Sequence, residues 1–315
     1  MAKKILKTIF FIFEIVIMII VAGLFYFSKP VEVESPQLYI PSGSIAKIIT
    51  QLQRSDVPVT RLDTYMLSLL GRPQSGWIDI KTSRLSRLDF LKSLTTAKAA
   101  LFKIRIIPGE TTYVILRQLS HMGYDLEKLQ KSYESLAPYP EGVLFAETYY
   151  LPKGIDEERL MRYLIKSGLQ RHGRLAQKVY GKFDRKRWFE RVVTIASIVQ
   201  KEAANTEEMP IVASVIYNRL KIGMPLQMDG ALNYGSYSHK KITARRIRED
   251  SSRFNTYKYK GLPPYPVCVV GIDAIKAALH PAKTDYLYFV KSKDGGHKFS
   301  RTYKNHLRNI KDVQK

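Results

Sequence analysis

The chain has 315 residues, 45% of them hydrophobic and 25% charged, a composition and length that suit a folded protein of about two domains. Its 51 Lys and Arg against 28 Asp and Glu leave a formal net charge of +23, which calls for an acidic counterpart: nucleic acid, an anionic lipid surface, or a polymer bearing carboxylates. A single cysteine, Cys268, excludes an internal disulfide, and six His without HExxH or similar spacing predict no metal and no cofactor.

From Thr8 to Phe27 the sequence is apolar apart from Glu14, matching the length of helix that crosses a bilayer core. The reading is a transmembrane helix over 8–28 behind a short tail, 1–7. Lys3, Lys4 and Lys7 on the short side predict a cytoplasmic N-terminus and an extracytoplasmic remainder. No A-x-A-like site follows before Pro30, so an uncleaved anchor is expected rather than a signal peptide. Glu14 is costly in that position and reads as a protonated or snorkelling side chain. This topology removes nucleic acid from the candidates and leaves membrane lipid and cell-wall polymer.

Residues 29–37 form a linker. Beyond it a weak repeat recurs: a β-prone stretch, a turn, then a Ser or Thr suited to cap a helix that reaches Leu eight residues later. The units are Ser44 to Leu52, Ser86 to Leu94 and Thr111 to Leu119, and they predict a small module over 38–130. The rest, 131–315, is expected to form a mixed α+β domain. Helices are predicted at about 156–180, 184–204, 210–221 and 272–279, with a strand over 286–290, a turn at Asp294-Gly295-Gly296, a strand over 297–300 and a last helix capped by Thr302. The span 222–270, rich in Gly, Pro and Tyr, reads as the loop-built wall of a cleft.

Within Thr194 to Ala204, Ile195, Ile198 and Val199 mark a buried helical stripe, and Glu202 falls on it at i+7. Desolvation on such a face raises a carboxyl pKa toward neutrality, as a general acid requires. A structural Glu satisfied by an Arg or backbone group gives the same pattern. Asp229, beside Gly230 in the loop region, is a second catalytic or binding candidate or a turn residue, whereas Glu207 and Glu208 read as first-turn charges of a helix. Cys268 amid valines reads as a small core residue. The basic run from His239 to Arg248 reads as a solvated helix face. No P-loop, G-x-S-x-G or dinucleotide fingerprint is present.

A series of blocks in order then resembles the MltG or YceG-like family of endolytic murein transglycosylases. They are A-S-I-V-x-K-E at 196–202, Ala213 to Leu220, Gly223 to Asp229, Tyr234-Gly235, Phe254-Asn255-Thr256-Tyr257 before Gly261 to Pro264, Ala277 to Ala282, Tyr286 to Val290 and His297-Lys298-Phe299-Ser300. Glu141-Gly142 through Tyr149 matches more loosely, and the repeat module resembles the family's LysM-like subdomain. The resemblance implies an inner-membrane enzyme that cleaves the β-1,4 bond between N-acetylmuramic acid and N-acetylglucosamine in nascent strands, leaves 1,6-anhydro ends and limits strand length. Peptidoglycan strands and membrane lipid are the implied partners, with peptidoglycan synthases as further candidates.

In that family the acid is the second acidic position of an E-K-E segment, here Glu202; the first is Gln200. Ala146-Glu147 stands for Pro-Asp, Asp229-Gly230 for Asp-Pro, and Cys268-Val269-Val270-Gly271 where N-P-G is usual. The expected mechanism has Glu202 protonate the departing oxygen and then accept the proton of the muramyl C6 hydroxyl, with Asn218, Asp229, Tyr234, Asn255 and Tyr257 contacting sugars. A non-catalytic wall-binding scaffold and a hydrolase pairing Glu202 with Asp229 remain open alternatives.

Overall fold

Nothing in Ala2 to Lys7 breaks a helix, and the apolar segment is helical from Ala2 to Ser28 (α1), six residues earlier than the hydropathy pattern alone indicated. The computed structural model describes residues 2–314; Met1, the start of the expected tail, and Lys315 lie outside the described residues. α1 is long and apolar enough to cross a membrane, and Glu14 is exposed on it.

Two compact units follow from the packing. The first runs to Lys103 and takes back Tyr150–Ile155; the second holds Ile104–Tyr149 and the chain from Asp156 onward. The division therefore falls near 103 and not at the expected 130. The third repeat helix explains the difference, because it packs with the helix after it and with a turn near Gly235 in the second unit.

In the first unit the elements are β1 (Pro30–Glu32), β2 (Gln37–Ile40), α2 (Ile45–Arg54), α3 (Arg61–Leu70), β3 (Gly76–Asp79), β4 (Arg84–Ser86), α4 (Arg87–Thr96) and β5 (Lys98–Ala99). β2, β3 and β5 make one antiparallel sheet in that order, with Leu38 opposite Ile78 and Tyr39 opposite Trp77, while β1 pairs with β4. The side chains of Ser44 and Ser86 accept backbone N–H groups of Lys47 and Asp89, so both repeat helices start where their caps predict. α3 lay outside the repeat reading, although Thr60-x-x-Asp63 forms a reciprocal capping box. Ile40, Ile49, Leu67, Ile78, Phe90, Leu91 and Leu94 form the core, and Phe27 from the end of α1 packs against it.

The same helix end is tied down by polar groups. The Tyr26 hydroxyl lies 2.5 Å from Thr60 Oγ1 and donates to Asp63 Oδ1 at 3.2 Å. Buried Arg87 donates to Asp63 Oδ2 at 2.7 Å, and its guanidinium lies 4.5 Å from the Tyr26 ring centroid. A charge pair removed from water needs this density of partners.

The chain enters the second unit within β6 (Leu101–Arg105) and continues through α5 (Thr112–His121), α6 (Leu126–Leu136), β7 (Thr148–Pro152), whose last three residues count with the first unit, α7 (Glu157–Tyr180) and α8 (Arg185–Arg187). A six-residue π-helical turn, Trp188–Val193, leads into α9 (Thr194–Glu202), followed by α10 (Met209–Lys221), α11 (Ala244–Glu249), α12 (Ile272–Leu279), β8 (Tyr288–Lys291), β9 (His297–Ser300) and α13 (Tyr303–Gln314). β6 pairs with β7, and β8 with β9. α9, α10 and α12 pack together around fully buried Ile195, Ile198, Val212, Ile216 and Ile275. Thr111 caps α5, and Thr302 Oγ1 accepts the N–H of Asn305 at the head of α13. The architecture is mixed α+β with small sheets.

Two readings need correction. The helix expected over 184–204 is interrupted by the π turn, where the Thr194 N–H reaches back to the Phe189 carbonyl. The span expected to be loop is not without structure: it carries α11 and two single turns of 3₁₀ helix, Asp229–Leu232 and Gly235–Tyr237.

Candidate active site

Glu202 is the last residue of α9. The stripe below it, Ile195, Ile198 and Val199, is fully buried, so the helix aims its carboxylate along the core face until the helix ends and a cavity opens. That cavity, about 500 Å³, is lined by Lys201, Glu202, Asp229, Phe289, Lys291 and His297 among others, within the size range of ligand sites. Glu202 Oε1 accepts the Gly230 N–H at 2.6 Å. A Cβ on Gly230 would lie 2.5 Å from the Lys201 Cβ and 3.0 Å from Glu202 Oε1, so in this chain a side chain there would push the turn away from Lys201 and Glu202.

Burial pushes the Glu202 pKa from 4.5 up to about 7; the Gly230 N–H and Arg219 oppose the shift, and the Asp229 charge adds to it. The group is partly open to the cavity, so it can exchange a proton with a bound molecule while its own surroundings keep it protonatable near neutrality.

Of the five other residues expected in the site, Asp229 and Tyr257 stand with Glu202. The Tyr257 hydroxyl donates to Asp229 Oδ1 at 2.7 Å, and burial, with Asp229 and Glu202, raises its own pKa. Of these two only Asp229 lines the cavity, and Asn218, Tyr234 and Asn255 do not line it either. Asn218 Nδ2 donates to the carbonyls of Thr284 and Tyr286 at 2.8 and 3.0 Å. Fully buried Asn255 donates to the carbonyls of Ile247 and Asp250, 2.8 Å each. Tyr234 stacks on Phe254 and donates to Asp250 at 3.2 Å. These side chains brace the cleft wall.

Several groups at or near the site escaped the sequence reading. Arg219, nearly buried, donates to the carbonyls of Leu226 and Leu287 and so holds the segment before Asp229 and the start of the hairpin. Glu208, read as a first-turn charge, makes no helix cap and instead binds His297 of β9. His297-x-Phe299-Ser300 was a visible block, but no sequence spacing links it to Glu208. Glu141 is a second buried carboxyl, pushed by burial up to about 7 against hydrogen bonds from Thr112 and Gly142. Gln200, where the resemblance led one to expect an acid, uses its carbonyl oxygen to accept the Gly271 N–H at 3.1 Å, at the head of α12.

Cys268 is buried, and burial raises its thiol pKa, in keeping with a core residue. The basic run is not simply a solvated face: Arg246 is folded inward, 3.9 Å from the Tyr237 ring centroid and bonded to the Leu232 carbonyl. Among the described residues, no group of three or more His, Cys, Asp or Glu is placed to hold a metal ion.

The class is therefore an α+β protein whose larger unit carries an acid-bearing cavity. The profile of the YceG-like family matches residues 38–312. The chain is 28% identical over 324 aligned residues to the endolytic murein transglycosylase of Bacillus subtilis strain 168, covering 91% of this chain and 89% of that one. It is 31% identical to the enzyme of the same name from Streptococcus pneumoniae D39, over 78% of this chain and 44% of that longer one. The crystal structure of a yceG-like protein from Listeria monocytogenes superposes with a TM-score of 0.56 at 26% identity, covering 86% of this chain and 97% of that one. The chain belongs to the YceG-like family.

Proposed function

We propose that the protein is a membrane-anchored endolytic murein transglycosylase with Glu202 as its acid, cutting the bond between N-acetylmuramic acid and N-acetylglucosamine inside nascent strands. The observation that carries the reading is the Glu202 carboxyl, placed at a cavity and held protonatable near pH 7. In this scheme the Glu202 proton passes to the bridging oxygen as the C1–O bond breaks, and the muramyl C6 oxygen closes on C1, its hydroxyl proton taken up by a base at the site, to leave a 1,6-anhydro end. No water attacks, so no second carboxylate need activate one. Asp229, which lines the same cavity and accepts a hydrogen bond from the Tyr257 hydroxyl, is the sugar contact the geometry favours, with Tyr257 orienting it.

The surroundings fit such a substrate. α1 is the anchor, N-terminus cytoplasmic, in the cytoplasmic membrane of a bacterium. The β2-α2-α3-β3 part of the first unit is a LysM-like glycan-binding module. The charge of +23 suits both anionic lipid and the acidic lactyl and peptide groups of the wall polymer. Synthases that make nascent strands are candidate neighbours.

The test is to incubate the full-length protein in detergent, and its Glu202→Gln variant, with uncrosslinked strands and weigh the products by mass spectrometry. Internal cuts with anhydro ends from the wild type alone are expected. Because Asp229 shares the cavity, reducing ends instead would turn the reading to a two-carboxylate hydrolase, and intact strands from both proteins would leave a binding scaffold.

A further inference from the structure

Two protons move in the proposed reaction, and the site holds a second group built to take one. His297 opens β9 and lines the cavity that Glu202 lines. Its Nδ1 lies 2.7 Å from Glu208 Oε2 and its backbone N–H donates to Glu208 Oε1 at 2.7 Å, while the N–H of Ala204, two residues past Glu202, donates to the same carboxylate at 3.4 Å. One carboxylate thus clasps the hairpin to the segment leaving the acid. Accepting these donors outweighs its burial and holds the Glu208 pKa below the usual carboxylate range.

A carboxylate on Nδ1 fixes the tautomer: Nδ1 carries the hydrogen and the Nε2 lone pair is left free. Among the described residues Nε2 has no hydrogen-bond partner and is not sealed from solvent. Phe289 packs edge-on against the ring, centroids 5.2 Å apart at 84°, which restricts its rotation. The charged groups around it are Glu208 before α10, Lys201 and Glu202 on α9, Asp229, Lys291 on β8 and Asp294 in the hairpin turn.

We infer that His297, oriented by Glu208, is the base that removes the C6-hydroxyl proton of the muramyl residue while Glu202 serves as acid only. This rests on the transglycosylase reading and deepens it. The balance is complete: the Glu202 proton goes to the leaving oxygen as C1–O breaks, the O6 proton goes to His297 Nε2 as the O6–C1 bond forms, and the imidazolium returns its proton to the Glu202 carboxylate through solvent. Because O6 closes on the same face of C1 that the departing oxygen leaves, the two transfers follow one another, and a separate base spares Glu202 from having to turn from the departing oxygen to O6. Glu208 is a positioning residue in this scheme.

The discriminating variant is His297→Asn, whose amide nitrogen can still donate to Glu208 and keep the clasp, but which has nothing in place of Nε2. With the full-length protein, kcat is expected to fall about 100-fold or more, the scale of general-base catalysis, with KM within a few-fold. The limb of the kcat/KM profile that marks protonation of the base should vanish while the Glu202 limb stays. Added imidazole should restore part of the activity to His297→Ala. Activity within a few-fold of wild type, or a loss that keeps both limbs and resists imidazole, overturns the assignment. Glu202→Gln separates the two claims: if it stays active, the underlying reading falls; if it is inactive while His297→Asn is unaffected, only the role of His297 does.

Discussion

Replacing Glu202 by Gln should make the folded protein more stable, and only above a certain pH. The native carboxyl titrates at about 7 where an ordinary one titrates at 4.5, so the folded wild type binds this proton more tightly than the unfolded chain. Its stability therefore falls as pH rises from 4.5 to about 7 and levels off above. At about 1.4 kcal/mol per pH unit the bound is about 3.5 kcal/mol, and solvent reaching the carboxyl through the cavity brings the expected gain to about 1–3 kcal/mol. Gln does not titrate and keeps an oxygen for the Gly230 N–H. The assay is urea unfolding of both full-length proteins in detergent at pH 5 and pH 9, followed by tryptophan fluorescence, since Trp188 is buried just before α9. The two should lie within about 1 kcal/mol of each other at pH 5, where the loss has only begun, and separate further at pH 9, the variant more stable. A gap of equal size at both pH values, or a less stable variant at pH 9, would show that the acid is not desolvated and refute the reasoning.

Three other outcomes are expected. Asp229→Asn removes a charge that raises the Glu202 pKa, so the alkaline limb of the activity profile should move to lower pH, by up to about one unit, as read from cleavage rates across pH 5–9. Arg87→Ala leaves Asp63 buried without its cation, which should cost the first unit about 3–5 kcal/mol; limited proteolysis should then cut within residues 30–100 while the second unit stays resistant. Gly168→Ala would place a Cβ 2.2 Å from the Val143 carbonyl oxygen, and α7 must shift, costing about 1–3 kcal/mol in an unfolding titration.

What the sequence made legible was local. Ser44, Ser86, Thr111 and Thr302 each cap the helix they were expected to cap, because a cap is decided within four residues. The position of Glu202 on a buried stripe was legible for the same reason, since helical periodicity reaches only i+7. The grouping of the repeat helices was not: α5 leaves the module of α2 and α4 to pack with α6 and with a turn more than a hundred residues further along the chain, where Thr111 Oγ1 donates to the Gly235 carbonyl at 2.9 Å. Asn218, Tyr234 and Asn255 had the composition of sugar contacts, yet each is held by groups that no spacing rule connects to it. The Glu208–His297 pair, 89 residues apart, was invisible on the same account. α3 could have been found, since its capping box is written in Thr60 and Asp63.

The π turn ahead of α9 has a consequence for how the chain tolerates changes in length. Each α-helical residue advances about 100° around the axis, so losing a residue inside α9 would swing Glu202 away from the cavity. Between Trp188 and Val193 the hydrogen bonds already reach one residue further than in an α-helix, and a deletion there lets the turn relax to ordinary α pitch with the acid still aimed as before. Those six residues are a slack link, the one stretch near the acid where the helix can be shortened without being turned.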